Sequence, residues 1–140
     1  MSAFVRSFKW IMIVSGLLTS TMFYAAIAPT AAQRSMFGEA IEGAVAEIVV
    51  RNWGVLVGFI GLLLIYGAFS DAHRRLVVLL AAASKVTFIF LVISFGQHFL
   101  GAQVGTSVLV DSIMVVLFVV YLVATRDRWA SSRSTTSPRP

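Results

Sequence analysis

Apolar residues fall into four long blocks along this chain, at about residues 8–28, 48–69, 76–97 and 106–125. Each block is close to the roughly 20 residues that an apolar helix needs to cross a hydrocarbon layer about 30 Å thick. None of the blocks alternates apolar and polar residues as the strands of a membrane barrel do. The pattern therefore predicts four transmembrane α-helices.

The connections between the blocks predict how the helices are joined. Pro29 ends the first helix, because proline cannot continue a helical hydrogen-bond ladder. The short turn at 70–75 makes the second and third helices antiparallel neighbours. In the longest connection, residues 39–47 carry apolar residues at helical spacing, and two alternatives are open for them. They form a short helix that lies flat on the outer interface, or they extend the second helix outward.

The composition also requires a membrane environment. Hydrophobic residues make up 59% of the chain and charged residues 12%, with a mean hydropathy of +0.91. Soluble domains are roughly half apolar and about a quarter charged, and a small domain cannot bury this excess. We therefore expect residues 1–128 to form one all-α domain, a four-helix transmembrane bundle. Residues 129–140 are polar and rich in Ser and Pro, which predicts a disordered cytoplasmic tail.

The distribution of charge predicts that both chain ends are cytoplasmic. Of the eleven Lys and Arg residues, eight fall on one side of a four-helix chain. Cytoplasmic connections of membrane proteins are enriched in Lys and Arg, so we assign this side to the cytoplasm. The net charge of +5 is then a signal of topology, and nucleic acid is not an expected partner. The eight residues are Arg6, Lys9, Arg74, Arg75, Arg126, Arg128, Arg133 and Arg139.

Several kinds of chemistry are not expected. The chain has no cysteine, which excludes disulfides, thiolate metal sites and dithiol redox chemistry. His73 and His98 lie at opposite ends of the predicted bundle, so they are not expected to hold one haem between them. No metal site, cofactor or catalytic residue is predicted. A cleaved signal peptide is an alternative for the first block. The length of that block, and the position of Pro29 directly after the possible cleavage site, argue against cleavage.

Small residues mark two helix faces. Gly54-x-x-x-Gly58 and Gly61 form a stripe on the second helix, and Gly16 and Ser20 are four residues apart on the first. Close backbone approach drives helix association in lipid, and small residues permit it. We expect these faces to pack against other helices and to support self-association. The nearby Thr19 and Thr21 need no functional role, because their hydroxyls can bond to carbonyls of their own helix.

Polar residues inside the predicted hydrocarbon layer are the candidate site. Lys85 lies near the middle of the third helix, where a charge costs about 3 kcal/mol. Asp111 is the carboxylate predicted within the layer, and Arg51 enters from the outer surface. Helical side chains lean toward their own N-terminus, which moves Lys85 and Asp111 apart. Arg51 and Asp111 are therefore the geometrically easier pair, and we favour a network, with or without water, over a simple bridge between Lys85 and Asp111. The predicted network consists of Arg51, Asn52, Ser84, Lys85, Gln97 and Asp111.

Three interpretations of these residues are open. The charges form a structural pair that orients helices, they form a site for a ligand or ion, or the lysine snorkels toward the headgroups.

Three motifs give the sequence a family resemblance. They are Phe37-Gly38 after the first helix, Arg51-Asn52-Trp53-Gly54 at the start of the second, and Ser84-Lys85 in the third. With their surroundings, most of residues 8–125 resemble small bacterial four-helix membrane proteins of the DoxX-like kind and neighbouring families. The resemblance implies an integral bundle in the bacterial inner membrane. Some DoxX-type proteins are linked to quinone-coupled sulfur oxidation, but no catalytic motif carries over to this chain.

The sequence leads to three hypotheses for function. The first is a non-enzymatic accessory or structural subunit in the bacterial cytoplasmic membrane, which forms a homo-oligomer or joins a larger membrane complex. The second is a unit that binds or transports a small molecule or ion through Arg51, Lys85 and Asp111. The third, a quinone-linked redox subunit, follows only from the family analogy.

Overall fold

The computed structural model describes residues 3–126, and within that range the chain is helical with no strand. The predicted tail at 129–140 lies outside the described residues. The helices are α1 (Ala3–Ser20), α2 (Phe23–Ile27), α3 (Pro29–Phe37), α4 (Ala44–Phe69), α5 (Asp71–Phe95) and α6 (Gln103–Ala124), with a 3-10 turn at Gln97–Gly101 before α6.

Four helical segments are long and apolar enough to cross a membrane, namely Ala3–Ile27, Ala44–Phe69, Asp71–Phe95 and Gln103–Ala124. This confirms the predicted all-α architecture with four such segments. Each segment contains a strongly apolar stretch of 18 residues, and only 17% to 33% of the residues in that stretch are buried inside the bundle. Most of the apolar side chains therefore face outward, which is the arrangement expected of helices surrounded by lipid, because lipid tails are as apolar as the side chains.

The core lies at the end of the bundle where the described chain begins and ends. Phe8 and Met12 of α1 pack there against Leu64 of α4 and Phe118 of α6, and all four side chains are fully buried or nearly so. The ring of Phe8 stacks on that of Tyr121, with 3.8 Å between their centroids. Val78 and Ala81 of α5 belong to the same buried cluster, so these contacts hold α1, α4, α5 and α6 together at this end.

The sequence predicted one continuous helix for the first apolar segment, but the structure divides that segment into α1 and α2. It is interrupted by a turn at residues 21–22, where the Thr21 hydroxyl donates to the Leu18 carbonyl at 2.6 Å. Pro29 does end the segment, but it also occupies the first turn of a further helix, α3. Proline suits that position, because the first helical N–H groups have no partner within the helix. Gly38 ends α3 in the left-handed conformation, with φ of 81°.

The segment 39–47 is divided between a loop and α4. Residues 39–43 are not helical, so the flat interfacial helix is wrong, and α4 extends outward only from Ala44. The reasons are a backbone angle and a hydrogen bond that sequence spacing does not reveal. Gly43 has φ of 112°, which interrupts any helix there. The buried Gln33 side chain accepts a hydrogen bond from the Ile41 N–H at 3.1 Å, and this ties the loop to α3.

The connection between α4 and α5 is shorter than predicted. Only Ser70 separates the two helices, and α5 begins at Asp71 and not near 76. Arg74 supports this tight turn, because its side chain donates to the carbonyls of Gly67 and Ala68 at 3.1 and 2.9 Å. These carbonyls lie in the last turn of α4 and have no partner within the helix. The predicted antiparallel arrangement of these helices follows from this turn.

Candidate functional site

Lys85 of α5 and Asp111 of α6 form a direct ion pair, in which the Lys85 ammonium donates to Oδ1 of Asp111. Their side chains are 7% and 19% exposed. The other ion pairs within residues 3–126, Arg51–Glu47 and Arg74–Asp71, each have at least one side chain more than half exposed. The Lys85–Asp111 pair is therefore the one that is withdrawn from the surface.

The direct pair differs from the prediction, which favoured a network, with Arg51–Asp111 as the easier pair, over a simple bridge between Lys85 and Asp111. The prediction relied on the lean of side chains toward the N-terminus, which separates Lys85 and Asp111 along the bundle axis. The flexible four-carbon stem of lysine spans that separation. Because α5 and α6 pack against each other, the ammonium reaches across the contact between the two helices.

Arg51 has a different set of partners. Its guanidinium lies 2.6 Å from Glu47 Oε1, one turn earlier on α4. It also donates to the Ala26 carbonyl, and to the Ile27 carbonyl at 3.2 Å. These carbonyls end α2, where backbone acceptors lack helical partners. Arg51 therefore fastens the end of α2 to α4 and does not join the Lys85–Asp111 pair.

The remaining members of the predicted network are divided. Ser84 lies beside Lys85 on the wall of the same cavity. Asn52 is exposed on α4, and Gln97 is exposed in the 3-10 turn. Of the six predicted residues, the structure brings together Ser84, Lys85 and Asp111.

The ion pair opens into a cavity of about 570 Å³. This volume is within the range of about 300–1,000 Å³ that is typical of small-molecule sites. The cavity lies in the half of the bundle remote from the described chain ends, between α1, α4, α5 and α6, with Met36 of α3 also on its wall. Its other polar lining residues are Thr19, Thr21, Ser84, Thr87, Gln103, Thr106 and Ser107, and the rest of the wall is apolar.

Thr19 is a member of the site that sequence reasoning dismissed. We expected its hydroxyl to bond within its own helix, as those of Thr21 and Thr87 do. The Thr19 residue is 7% exposed, and its hydroxyl oxygen is buried with no hydrogen-bond partner among the described residues. A buried hydroxyl without a partner costs about 1–3 kcal/mol. The sequence pattern carries no signal for this, because every helical threonine has the same local carbonyls available.

The small-residue faces pack against each other inside the chain. A Cβ atom at Gly61 would lie 2.6 Å from the Gly16 carbonyl oxygen, and one at Gly16 would lie 2.7 Å from the Gly61 carbonyl oxygen. The N–H of Ser20 would lie 2.5 Å from the same Cβ of Gly61. The predicted role of these residues in helix packing is therefore realised between α1 and α4.

The rest of the α4 stripe contacts α2. A Cβ at Gly54 would meet the backbone of Ala26 at 2.7 Å, and one at Gly58 would meet the ring of Phe23 at 2.7 Å. All five small residues thus lie against other helices of the same chain, and self-association stays a prediction. A homo-oligomer would have to use other surfaces.

The histidines lie at the two ends of the bundle. His73 contacts Tyr66 and Ser70 through Nδ1 at the α4–α5 turn, and His98 lies in the 3-10 turn. Within residues 3–126, no three His, Cys, Asp or Glu side chains lie close enough together to hold a metal ion.

Comparison with known proteins adds no family to this description. The chain matches no protein-family model, no curated protein and no solved structure.

Proposed function

We propose that this chain is a multi-pass membrane protein that binds a small molecule in the cavity beside the Lys85–Asp111 pair. The observation that supports this is the position of the pair, which is withdrawn from the surface and yet borders a cavity. Separating charges from water is costly, and close packing with further hydrogen bonds is what offsets the cost in a purely structural pair. A pair beside a cavity keeps donors and acceptors available for a ligand.

The proposed location is a bacterial cytoplasmic membrane with both chain ends in the cytoplasm. The basic residues support this orientation, since Arg6, Lys9 and Arg74 lie at the end of the bundle where the described chain begins. The DoxX-like resemblance supports the bacterial membrane. The cavity then lies in the outer half of the layer.

The binding proposal is tested by native mass spectrometry of the protein extracted directly into nanodiscs. The wild type should retain a small molecule, and the double variant Lys85→Met/Asp111→Leu should have lost it. The double variant removes both charges, so it leaves no unpaired ion and should still fold. The matched control is Glu47→Gln/Arg51→Gln, which removes an ion pair that does not line the cavity. This control should retain the small molecule.

A wild-type protein that is empty after gentle extraction would contradict the binding proposal. The Lys85–Asp111 pair would then be a structural contact between α5 and α6, as in the hypothesis of an accessory subunit. The mass of a retained molecule also tests the quinone-linked hypothesis, because a quinone would be recognised directly.

A further inference from the structure

We infer that the ligand of this cavity is an uncharged, lipid-like molecule whose polar end carries a hydroxyl group. The inference rests on the proposed binding function and names the chemical class of the ligand. It is carried by three features of the cavity, namely its balance of charge, the free polar groups on its wall and its border with the lipid-facing surface.

The charges on the cavity wall cancel. Lys85 and Asp111 carry opposite charges, and among residues 3–126 no other Asp, Glu, Lys or Arg lines the cavity. An anionic or cationic ligand would bring an unbalanced charge into a region of low dielectric constant, where such a charge is strongly unfavourable. A ligand of zero net charge avoids this cost.

The polar groups on the wall include both donors and acceptors. The Lys85 ammonium has three N–H bonds, and Asp111 has a second oxygen besides the one in the ion pair. Thr19 lines the cavity, and its buried hydroxyl has no hydrogen-bond partner in the part of the chain that the structure describes. A ligand hydroxyl both donates and accepts, so it complements such a mixed set. An ether end can only accept hydrogen bonds and a hydrocarbon end can do neither, so each would leave some of these donors or acceptors without a hydrogen-bond partner.

The apolar part of the wall continues to the outside of the bundle. Leu18 of α1, Leu56 of α4 and Leu91 of α5 line the cavity and are also about half exposed on the surface that faces lipid. Met22, Trp53 and Phe88 add apolar area within the cavity. An alkyl chain can therefore extend from the polar end along these residues, and the ligand can enter sideways from the membrane.

The test uses hexadecanol that carries a diazirine and an alkyne as a photoactivatable probe, with the full chain in phosphatidylcholine nanodiscs. The probe should label cavity-lining peptides saturably, and unlabelled hexadecanol should compete. Hexadecyl sulfate and hexadecyltrimethylammonium have the same chain but a fixed charge. They should compete about tenfold less well, a difference that corresponds to about 1.4 kcal/mol.

Two threonine variants locate the polar end. Thr19→Val keeps the shape of the side chain but removes the hydroxyl, and it should weaken probe binding by about tenfold, or about 1.4 kcal/mol. Thr125→Val is the matched control, because Thr125 is also buried but its hydroxyl donates to the Tyr121 carbonyl outside the cavity. This control should bind the probe like the wild type.

The outcomes separate the ligand class from the binding function. Equal or better competition by either charged amphiphile would overturn the uncharged class, while saturable labelling of the cavity would leave the binding function standing. Unchanged affinity in Thr19→Val would overturn the placement of the hydroxyl end. Labelling of the cavity that does not saturate, together with an empty protein in native mass spectrometry, would overturn both the ligand class and the proposed function.

Discussion

Lys85 and Asp111 each depend on the other for compensation of charge. Neither side chain is more than a fifth exposed, so bulk water hydrates either charge far less than it hydrates a charge on the surface. The exposed pair Arg74–Asp71 differs, since the Asp71 side chain is 88% exposed and remains hydrated without its partner. The energetic role of an ion pair therefore follows from its burial and not from the distance between its atoms.

Removal of one member of the buried pair should be much more harmful than removal of both. We expect Asp111→Ala to lower the free energy of unfolding by about 3–5 kcal/mol, because it leaves the Lys85 charge unpaired. The double variant Lys85→Met/Asp111→Leu should be neutral or more stable than the wild type by about 1–4 kcal/mol. Thermal unfolding in detergent micelles, followed by circular dichroism, measures the difference.

The matched control for these variants is Asp71→Ala, which breaks an exposed ion pair. It should lower the free energy of unfolding by less than about 1 kcal/mol. If Asp111→Ala were as mild as Asp71→Ala, the Lys85 ammonium would have an alternative partner or a path to water.

The site was partly predictable at this scale. Lys85 and Asp111 stand out in the sequence because charges are rare in apolar segments. Their mutual contact, and the absence of Arg51 from it, depended on which helices are neighbours. The sequence did not indicate Thr19, because what distinguishes it is a missing hydrogen bond to a backbone carbonyl, which similar threonines do make.

At the scale of helices, close packing of α1 and α2 on α4 organises the described bundle. Gly16 and Gly61 bring the backbones of α1 and α4 together, and Gly54 does the same for α2. The break at residues 21–22 divides the first apolar segment into α1 and α2, and both helices contact α4. The sequence indicated the small-residue faces, but it did not indicate that they are partners of each other.

Gly61→Ala should destabilise the bundle by about 1–3 kcal/mol, because the added methyl meets backbone atoms that cannot move independently. Alanine is favoured over glycine in a helix by about 1 kcal/mol, so a loss of stability reports the α1–α4 contact itself. The measurement is again unfolding in detergent micelles. Gly101→Ala is the control, since apart from its chain neighbours no atom of the described residues lies within 4 Å of its added Cβ. A loss of the same size there would show that the effect is not specific to the α1–α4 contact.

At the scale of the whole molecule, an even number of membrane crossings would place the two chain ends on the same side. Four segments of the described chain are suited to crossing. The loop at 39–43 and the α4–α5 turn lie at opposite ends of α4. The positions of these two connections therefore give a direct test of the proposed orientation.

Because the chain has no cysteine, single cysteines can be introduced without background labelling. In spheroplasts of an expression host, a membrane-impermeant maleimide should label Glu42→Cys but not Ser7→Cys or Ala72→Cys, and all three positions are exposed in the bundle. Permeabilised cells provide the control, in which all three should react. Labelling of Ser7→Cys and Ala72→Cys from opposite sides would contradict the proposed topology.

Local properties of the chain were sufficient for part of this description. Length, apolar content and the spacing of charges predicted four helices and marked Lys85 and Asp111, because these features depend on neighbours in sequence and on the thickness of a lipid layer. The partner of Asp111, the mutual packing of the glycine faces, helix α3 and the cavity were decided by the folded arrangement. They depend on which helices are adjacent and how each is rotated, and residues far apart along the chain set these quantities together.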